Sequence, residues 1–254
     1  MTEIEFLGTG TSTGVPQIGC NCEVCRSNDH RDRRLRCSAI VRVDGVSLLL
    51  DCGPDFRSQI LQVKDRHLDA LLLTHSHYNH VGGMDDLRLY CVPDSFDVYG
   101  QPNVLADIRA RIPYCFIKHP YPGVPSFELH ELNGNPFFVR GVKVVPLPVM
   151  HYKLPVYGYR IGKLAYITDC KSVPESTYPL LEGVEVLVIN ALRIEPHLSH
   201  FCLKETLQVI ERVKPKKAYL IHMSHGIGLA RNIGRLVPEN VAFAYDGMKV
   251  IVEK

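Results

Sequence analysis

Four short apolar runs in this chain each lead directly to a histidine or an aspartate. These four pairs are residues 70–73 with His75, residues 142–149 with His151, residues 164–167 with Asp169, and residues 218–221 with His222. Short apolar runs of this kind predict buried strands. Because sites in open α/β sheets gather at the carboxyl ends of strands, we expect the four side chains to converge. Imidazole and carboxylate are usual ligands of a borderline cation such as zinc, so the pattern predicts a metal site.

The segment 75–80 is the densest part of this pattern, with the sequence His-Ser-His-Tyr-Asn-His. A single histidine after a strand is usually an ordinary polar residue at the strand end. Three histidines spaced His-x-His-x-x-His, followed by ligands at three other strand ends, favour a metal centre instead.

The rest of the chain predicts a layered α/β fold. Residues 46–50 and 184–189 are further apolar runs that predict strands, and residues 203–213 carry apolar side chains at helical spacing. No repeat or linker-like tract interrupts the 254 residues. We therefore expect one α/β domain spanning residues 1–254.

Two other segments carry structural signals. Residues 101–125 contain five prolines with aromatic residues between them, which predicts a lid or a long excursion; a plain surface loop is the alternative. The turn sequence at 245–248 predicts a closing hairpin near the end of the chain.

The ligand pattern resembles the signature of the metallo-β-lactamase superfamily. The resemblance covers nearly the whole chain, including Asp51, Cys52 and Gly53, where the family has an aspartate behind the metal ligands and a glycine. It implies a four-layer αββα sandwich with metals along one sheet edge. It also implies two sets of ligands: His75, His77 and His151 for a first metal, and Asn79, His80 and His222 for a second, with Asp169 bridging them.

Asn79 departs from the family, which has an aspartate at this position. An amide offers a carbonyl oxygen but no negative charge, so we predict a weakened second metal site. Asp85 and Asp86 lie nearby in sequence, although no pattern assigns either of them as a replacement. The same departure leaves open a binding module without catalytic activity.

A cluster of cysteines forms a second candidate metal site. Cys20, Cys22 and Cys25 lie within six residues, and a structural zinc needs four tetrahedral ligands. His225, three residues after His222, is the best fourth candidate; three buried or free cysteines are the alternative. Such a site would tie the N-terminal loop to the strand end that carries His222.

The glycine-rich stretch before these cysteines lacks dinucleotide-loop spacing, since Pro16 and the cysteines follow where a helix should begin. It is similar instead to the cyclic phosphodiesterases of bacterial phosphonate-degradation operons, and less closely to the pyrroloquinoline-quinone biosynthesis relatives. The first resemblance implies a structural zinc on the set Cys20, Cys22, Cys25 and His225. It also implies that His200 is a general acid; a polar residue at a helix N-terminus is the equal alternative, and His197 has a weaker claim.

The predicted function is hydrolysis of a small or cyclic phosphodiester, in which metal-bound hydroxide attacks phosphorus in line with the leaving oxygen. One or two divalent ions, zinc or manganese, would serve as cofactors beside one structural zinc. His200 and Asp169 are the predicted catalytic residues, and Arg88 is either a phosphate contact or a solvated helix residue. The rivals are a thioester or lactone hydrolase, transfer-RNA 3′ processing, and the non-catalytic module.

The amino-acid composition limits the classes of molecule that this protein is expected to bind. With 29 basic and 27 acidic side chains the net charge is +2, which gives no sign of a general nucleic-acid binder. The sequence shows no signal peptide and no apolar run of the length that spans a membrane, so we expect a cytoplasmic protein with a small-molecule phosphodiester substrate. A homodimer is left open.

The chain has nine cysteines, an odd number, so they cannot all form disulfides within one chain. Clustered cysteines in a reducing compartment more often bind metal.

Overall fold

The computed structural model describes residues 1–117 and 121–252, and within these ranges two seven-stranded sheets are found. The strands are β1 (Thr2–Gly8), β2 (Ser38–Val43), β3 (Val46–Leu50), β4 (Ala70–Leu72), β5 (Phe96–Gly100), β6 (Phe127–Glu131), β7 (Phe137–Val139), β8 (Val142–His151), β9 (Leu154–Ile161), β10 (Leu164–Ile167), β11 (Val186–Asn190), β12 (Lys217–Ile221), β13 (Val241–Phe243) and β14 (Lys249–Val252). The first sheet has the order β14-β1-β2-β3-β4-β5-β6, and the second β13-β12-β11-β10-β9-β8-β7.

Helices join and cover these strands. The α-helices are α1 (Phe56–Ile60), α2 (Tyr78–Val81), α3 (Pro102–Arg111), α4 (Tyr178–Leu181), α5 (Leu203–Val213) and α6 (Ala230–Ile233). Single 3-10 turns or short 3-10 helices occupy His30–Asp32, Met84–Tyr90, Pro113–Phe116, Glu175–Thr177, His225–Ile227 and Gly234–Leu236. The predicted helix at 203–213 is α5, which begins at a cap where the Glu205 side chain accepts a hydrogen bond from the Cys202 backbone N–H.

Three hydrophobic layers hold the elements together. The central layer lies between the sheets, where Leu48 and Leu72 of the first sheet pack with Tyr159 and Val188 of the second. One outer layer packs α1 and α3 on the first sheet, and the other packs α4 and α5 on the second. Both sheets are thus buried on two faces, which explains why β4 and β10 are continuous apolar runs and why β3 and β11 each contain only one polar residue. The predicted four-layer αββα sandwich is confirmed.

The segment 101–125, predicted to be a lid or excursion, contains the helix α3, which crosses between the parallel strands β5 and β6. Val104, Leu105 and Ile108 of α3 are buried against the first sheet. The 3-10 turn Pro113–Phe116 follows, and Pro120, one of the prolines behind the prediction, lies outside the described residues.

The predicted closing hairpin is wrong. A turn does form, since the Met248 N–H donates to the Tyr245 carbonyl at 3.0 Å. However, β13 pairs with β12 in the second sheet, while β14 pairs antiparallel with β1 in the first. Asp246 explains the change of sheet, because its carboxylate accepts hydrogen bonds from the backbone N–H groups of Thr9 and Leu35 in the N-terminal region.

Within residues 1–117 and 121–252, no helix has the length and apolar character needed to cross a membrane.

Two buried tyrosines of the central layer give a matched stability test. The Tyr159 hydroxyl donates to the Leu73 carbonyl at 2.6 Å and so ties β9 to the chain just before the histidine segment. Tyr166 is equally buried, but its hydroxyl has no hydrogen-bond partner among the described residues. We expect Tyr159→Phe to lower the free energy of unfolding by about 1–2 kcal/mol, because a buried hydrogen bond is lost.

The Tyr166→Phe variant removes a hydroxyl that has no hydrogen-bond partner in the described part of the chain, so we expect a change within about 0.5 kcal/mol or a slight stabilisation. Urea denaturation of both variants measures the difference. Equal destabilisation by the two substitutions would contradict the role assigned to the Tyr159 hydroxyl.

Candidate metal centre

The four strand ends meet as the sequence pattern predicts. His75 lies just beyond β4 of the first sheet, while His151 ends β8, Asp169 follows β10 and His222 follows β12 in the second. Asp169 and His222 have φ angles of 50° and 55°, in the left-handed region. L-residues rarely adopt this conformation, and its presence at two ligand positions fits a functional site.

A first group of possible ligands contains His75, His77, His151 and Asp169, each with one ligand atom within 4.8 Å of the others. His75 Nε2 is 2.9 Å from His77 Nδ1 and 3.8 Å from Asp169 Oδ2. His77 is the exposed member, while the other three side chains are buried.

A second group contains His80, His222 and the same Asp169. Asp169 Oδ1 lies 3.2 Å from His80 Nε2 and 3.1 Å from His222 Nε2. The two oxygens of one carboxylate therefore face two different groups of histidines. All three side chains of this second group are fully buried.

Two of these histidines have a hydrogen-bonding partner at Nδ1, the ring nitrogen that faces away from the centre. His80 Nδ1 lies 2.7 Å from Asp51 Oδ2, and His151 Nδ1 lies 2.8 Å from the Ser199 carbonyl. Thr74 is placed beside them, because both its N–H and its hydroxyl donate to Asp51. Such partners fix ring orientation and leave Nε2 directed at the centre. The role of Asp51 follows the family resemblance, whereas the Ser199 carbonyl had no signal in the sequence.

Burial controls the protonation of the histidines. It lowers the pKa of His75 well below the ordinary value and that of His222 to about 3, so both rings are neutral with a free lone pair. Burial acts in the same direction on His80, but Asp169 and Asp51 outweigh it and raise the pKa of His80 to about 10. Burial alone would raise the pKa of Asp169; the charges of His222 and His80 instead hold it well below the ordinary value.

The residues fit a bound cation on direct structural grounds. His80 Nε2 and His222 Nε2 are buried and lack a hydrogen-bond partner among the described residues, although each lies close to an Asp169 oxygen. Two ligands of one tetrahedral zinc are about 3.3 Å apart, given metal–ligand distances of about 2.0–2.1 Å. The observed 3.1 and 3.2 Å separations agree with that spacing, and unpaired buried polar atoms need such an explanation.

Asn79, the departure from the family, lies on α2 between His77 and His80 and is buried. Its Nδ2 also lacks a partner within the described chain. Gly53 positions this helix, because a Cβ at that residue would lie 2.1 Å from the Asn79 carbonyl oxygen. Rotation of the amide exchanges its oxygen and nitrogen, so the buried side chain can present a neutral oxygen in place of the nitrogen.

We expect Asn79→Asp to tighten metal binding at the second group by about tenfold or more, because a buried carboxylate adds the missing negative charge. Calorimetric titration of the metal-free protein with Zn²⁺ and Mn²⁺ measures it. Asn133→Asp, which adds the same charge at an exposed turn, is the control. Equal stoichiometry and affinity in the original protein and the Asn79 variant would refute a weakened second site.

His200 lies at the centre with the ligands. Its Nε2 is 3.1 Å from Asp169 Oδ2, and its ring stacks on His222 with centroids 4.8 Å apart. His197 Nδ1 lies 3.3 Å from His200 Nδ1, so it contacts His200 and none of the ligands directly.

Arg88, the other candidate for contact with phosphate, donates hydrogen bonds to Asp85 and to the Gly123 carbonyl, as expected of a solvated helix residue. Asp85 accepts from Arg88 and Tyr114 and belongs to neither ligand group.

The cysteine cluster also comes together with His225. Nδ1 of His225 lies 3.1 Å from Cys20 Sγ, 3.3 Å from Cys22 Sγ and 3.5 Å from Cys25 Sγ. Four ligand atoms of a zinc–sulfur site are about 3.5 Å or slightly more apart, so the arrangement fits a zinc ion. A hydrogen bond from the Cys25 backbone lowers the pKa of Cys22 to about 6, which favours its thiolate. The other six cysteines are buried.

A family model described as the β-lactamase superfamily domain matches residues 47–223. The chain belongs to the metallo-β-lactamase superfamily. Superfamily folds of this kind imply divalent metal ions, and both ligand groups around Asp169 fit them.

Several known proteins are similar to most of this chain. A crystal structure described as a new diphosphatase from the PhnP family is 34% identical, covers 100% of this chain and 98% of its own, and superposes with a TM-score of 0.93. An octanoyltransferase of Porphyromonas gingivalis is 42% identical over 98% of this chain, which spans only 51% of that protein. Coenzyme PQQ synthesis protein B of Methylorubrum extorquens is 34% identical over 76% of this chain and 73% of its own length. The resemblance to the phosphonate-operon phosphodiesterases is thereby supported.

Proposed function

We propose that this superfamily member hydrolyses a small or cyclic phosphodiester. The observation that carries the proposal is Asp169, whose two oxygens face separate histidine groups at 3.1–3.8 Å. Paired divalent cations are typical of enzymes that transfer phosphoryl groups to water, since both the attacking and the leaving oxygen need stabilisation. The similarity to a PhnP-family diphosphatase supports the same class of reaction.

Two sets of residues would hold the cations, zinc or manganese. His75, His77, His151 and Asp169 form one set, and Asn79, His80, His222 and Asp169 the other. When bound, such ions supply Lewis-acid stabilisation of phosphoryl oxygens and lower the pKa of water.

His200 would hold the proton for the leaving oxygen. Its Nε2 faces Asp169 at 3.1 Å, and its Nδ1 lies 3.0 Å from the Ser199 hydroxyl, which fixes the ring. A histidine placed within reach of the reacting group is an effective general acid.

Hydrolysis of a thioester is the second candidate, because the octanoyltransferase relative is 42% identical. This chain spans only about half of that relative, so the named activity need not lie in the shared half. The test is a parallel assay of bis-p-nitrophenyl phosphate and octanoyl-coenzyme A, with the protein loaded with zinc, manganese or nickel. Turnover of the phosphodiester alone supports the proposal. Turnover of the thioester alone favours the second candidate, and turnover of neither favours a binding module.

The role of His200 predicts a dependence on the leaving group. We expect His200→Gln to reduce turnover of an alkyl phosphodiester by about 10²–10⁴-fold, because an alkoxide needs a proton as it leaves. The loss on bis-p-nitrophenyl phosphate should be much smaller, since p-nitrophenolate leaves without protonation. The control is His197→Gln, at a histidine that does not contact Asp169 within the described chain. Equal losses on both substrates in His200→Gln would contradict a general acid at this position.

A further inference from the structure

A cavity of about 350 Å³ lies between the metal-binding helix α2 and the segment 102–116. Val81, Met84 and Ile108 form its apolar floor and are almost fully buried. Tyr78 and Arg111 line it as well, and both are exposed. An apolar cavity with a few polar groups at its edge is the usual form of a small-molecule subsite.

Chain connectivity and hydrogen bonds link the walls of this cavity to the candidate metal centre. Tyr78 directly follows His77 in the chain and begins α2. The Ser76 hydroxyl, between two metal-ligand histidines, donates to Asp107 of α3, and the Tyr114 hydroxyl donates to Asp85 at 2.7 Å. The first bond fastens α3 to the loop that carries His75 and His77, and the second fastens the turn Pro113–Phe116 to the 3-10 helix Met84–Tyr90, which follows α2.

Tyr78 presents an aromatic face at the edge of this cavity. A Cβ on Gly82 would lie 2.7 Å from two ring carbons of Tyr78, so the ring rests against α2 one turn further on. Nevertheless 61% of Tyr78 is exposed to solvent. A ring supported on one side and open on the other is a surface on which a second aromatic ring can stack.

Arg111 adds a cation to the lining of the same cavity. Its guanidinium is exposed, and it has no ion-pair partner in residues 1–117 and 121–252. Asp85, the acidic residue of the cavity wall, is already bonded to Tyr114 and Arg88. A free guanidinium favours the face of an aromatic ring.

We propose that this cavity binds a flat aromatic or heterocyclic group carried by the substrate on the side of phosphorus that does not leave. The inference rests on the proposed phosphodiesterase function. None of the cavity-lining residues belongs to the segment 197–200, which supplies the proton donor for the leaving oxygen. The cavity is therefore assigned to the substituent that stays on phosphorus.

The experiment compares two substrates with the same leaving group, p-nitrophenyl phenyl phosphate and p-nitrophenyl methyl phosphate. We expect the metal-loaded protein to prefer the phenyl ester in kcat/KM. Tyr78→Ala should reduce the phenyl-over-methyl ratio by about tenfold, through KM, because a stacking surface is lost. Arg111→Gln, an exposed substitution that leaves the fold intact, should reduce the same ratio by about threefold.

Tyr152→Ala is the matched control, since Tyr152 directly follows the ligand His151, is 48% exposed and does not line the cavity. Its phenyl-over-methyl ratio should stay within twofold of the original. A ratio near one in the original protein, or an equal fall in the Tyr152 variant, would overturn the subsite while leaving the phosphodiesterase function standing. If neither ester is hydrolysed, the proposed function fails; calorimetric binding of phenyl phosphate against methyl phosphate then decides the subsite, and equal affinities overturn it.

Discussion

Replacement of Asp169 by asparagine is expected to abolish metal-dependent turnover and to reduce the metal content of the centre. Asp169 is the one residue common to both ligand groups, and it is almost fully buried. Loss of a partner behind a ligand typically costs about 10–100-fold in affinity or activity. Loss of the shared carboxylate should therefore cost more than about a hundredfold, because it removes a proposed direct ligand and the only negative charge in either group.

Asp85→Asn is the matched control, because Asp85 is an acidic residue close to α2 that belongs to neither ligand group. Metal analysis after gel filtration gives the stoichiometry, and bis-p-nitrophenyl phosphate gives the turnover. The shared-ligand interpretation fails if Asp169→Asn keeps both metal content and turnover near the original. It also fails if Asp85→Asn causes the same losses.

Replacement of Cys22 by serine is expected to remove one equivalent of zinc and to destabilise the whole protein. Cys22 Sγ lies 3.3 Å from His225 Nδ1, and the backbone at Met223 bonds to both Thr9 and Thr11 of the N-terminal region. Binding of a structural zinc contributes about 10–16 kcal/mol in small zinc domains. Losing even about 4 kcal/mol of that would lower the melting temperature by roughly 10 °C in a chain of this size.

The effect should also reach the catalytic centre. His225 is three residues after His222, so the zinc cluster and the second ligand group share one short segment. We expect reduced turnover in Cys22→Ser even when catalytic metal is supplied in excess. Calorimetry and metal analysis measure the stability and the zinc content.

Cys202→Ser provides the control for this substitution. Cys202 is a buried cysteine outside the cluster, at the N-cap of α5, where serine is a preferred residue. Its variant should keep the zinc and the melting temperature. Unchanged zinc content in Cys22→Ser, or an equal loss of stability in both variants, would contradict a structural zinc at this cluster.

The amino-acid sequence alone predicted the types of ligand, the family and six of the fourteen strands found in residues 1–117 and 121–252. β3 coincides with the predicted run, and β10 and α5 have the predicted bounds, because burial on both faces and helical spacing are properties of the local sequence. The position of His75, His151, Asp169 and His222 at strand ends is likewise local information. The cysteine cluster and His225, which lie about 200 residues apart in the chain, were also predicted from the residues, and the family resemblance implied the same four ligands.

How distant segments meet is a property of the tertiary structure. It placed β14 in the first sheet, assigned the Ser199 carbonyl to His151, and set the two oxygens of Asp169 toward different histidines. It also placed a crossover helix, Pro102–Arg111, within the segment 101–125, where that helix lines a cavity together with Tyr78. These features depend on distances between residues remote in sequence, which the packing of two sheets fixes and local periodicity does not contain.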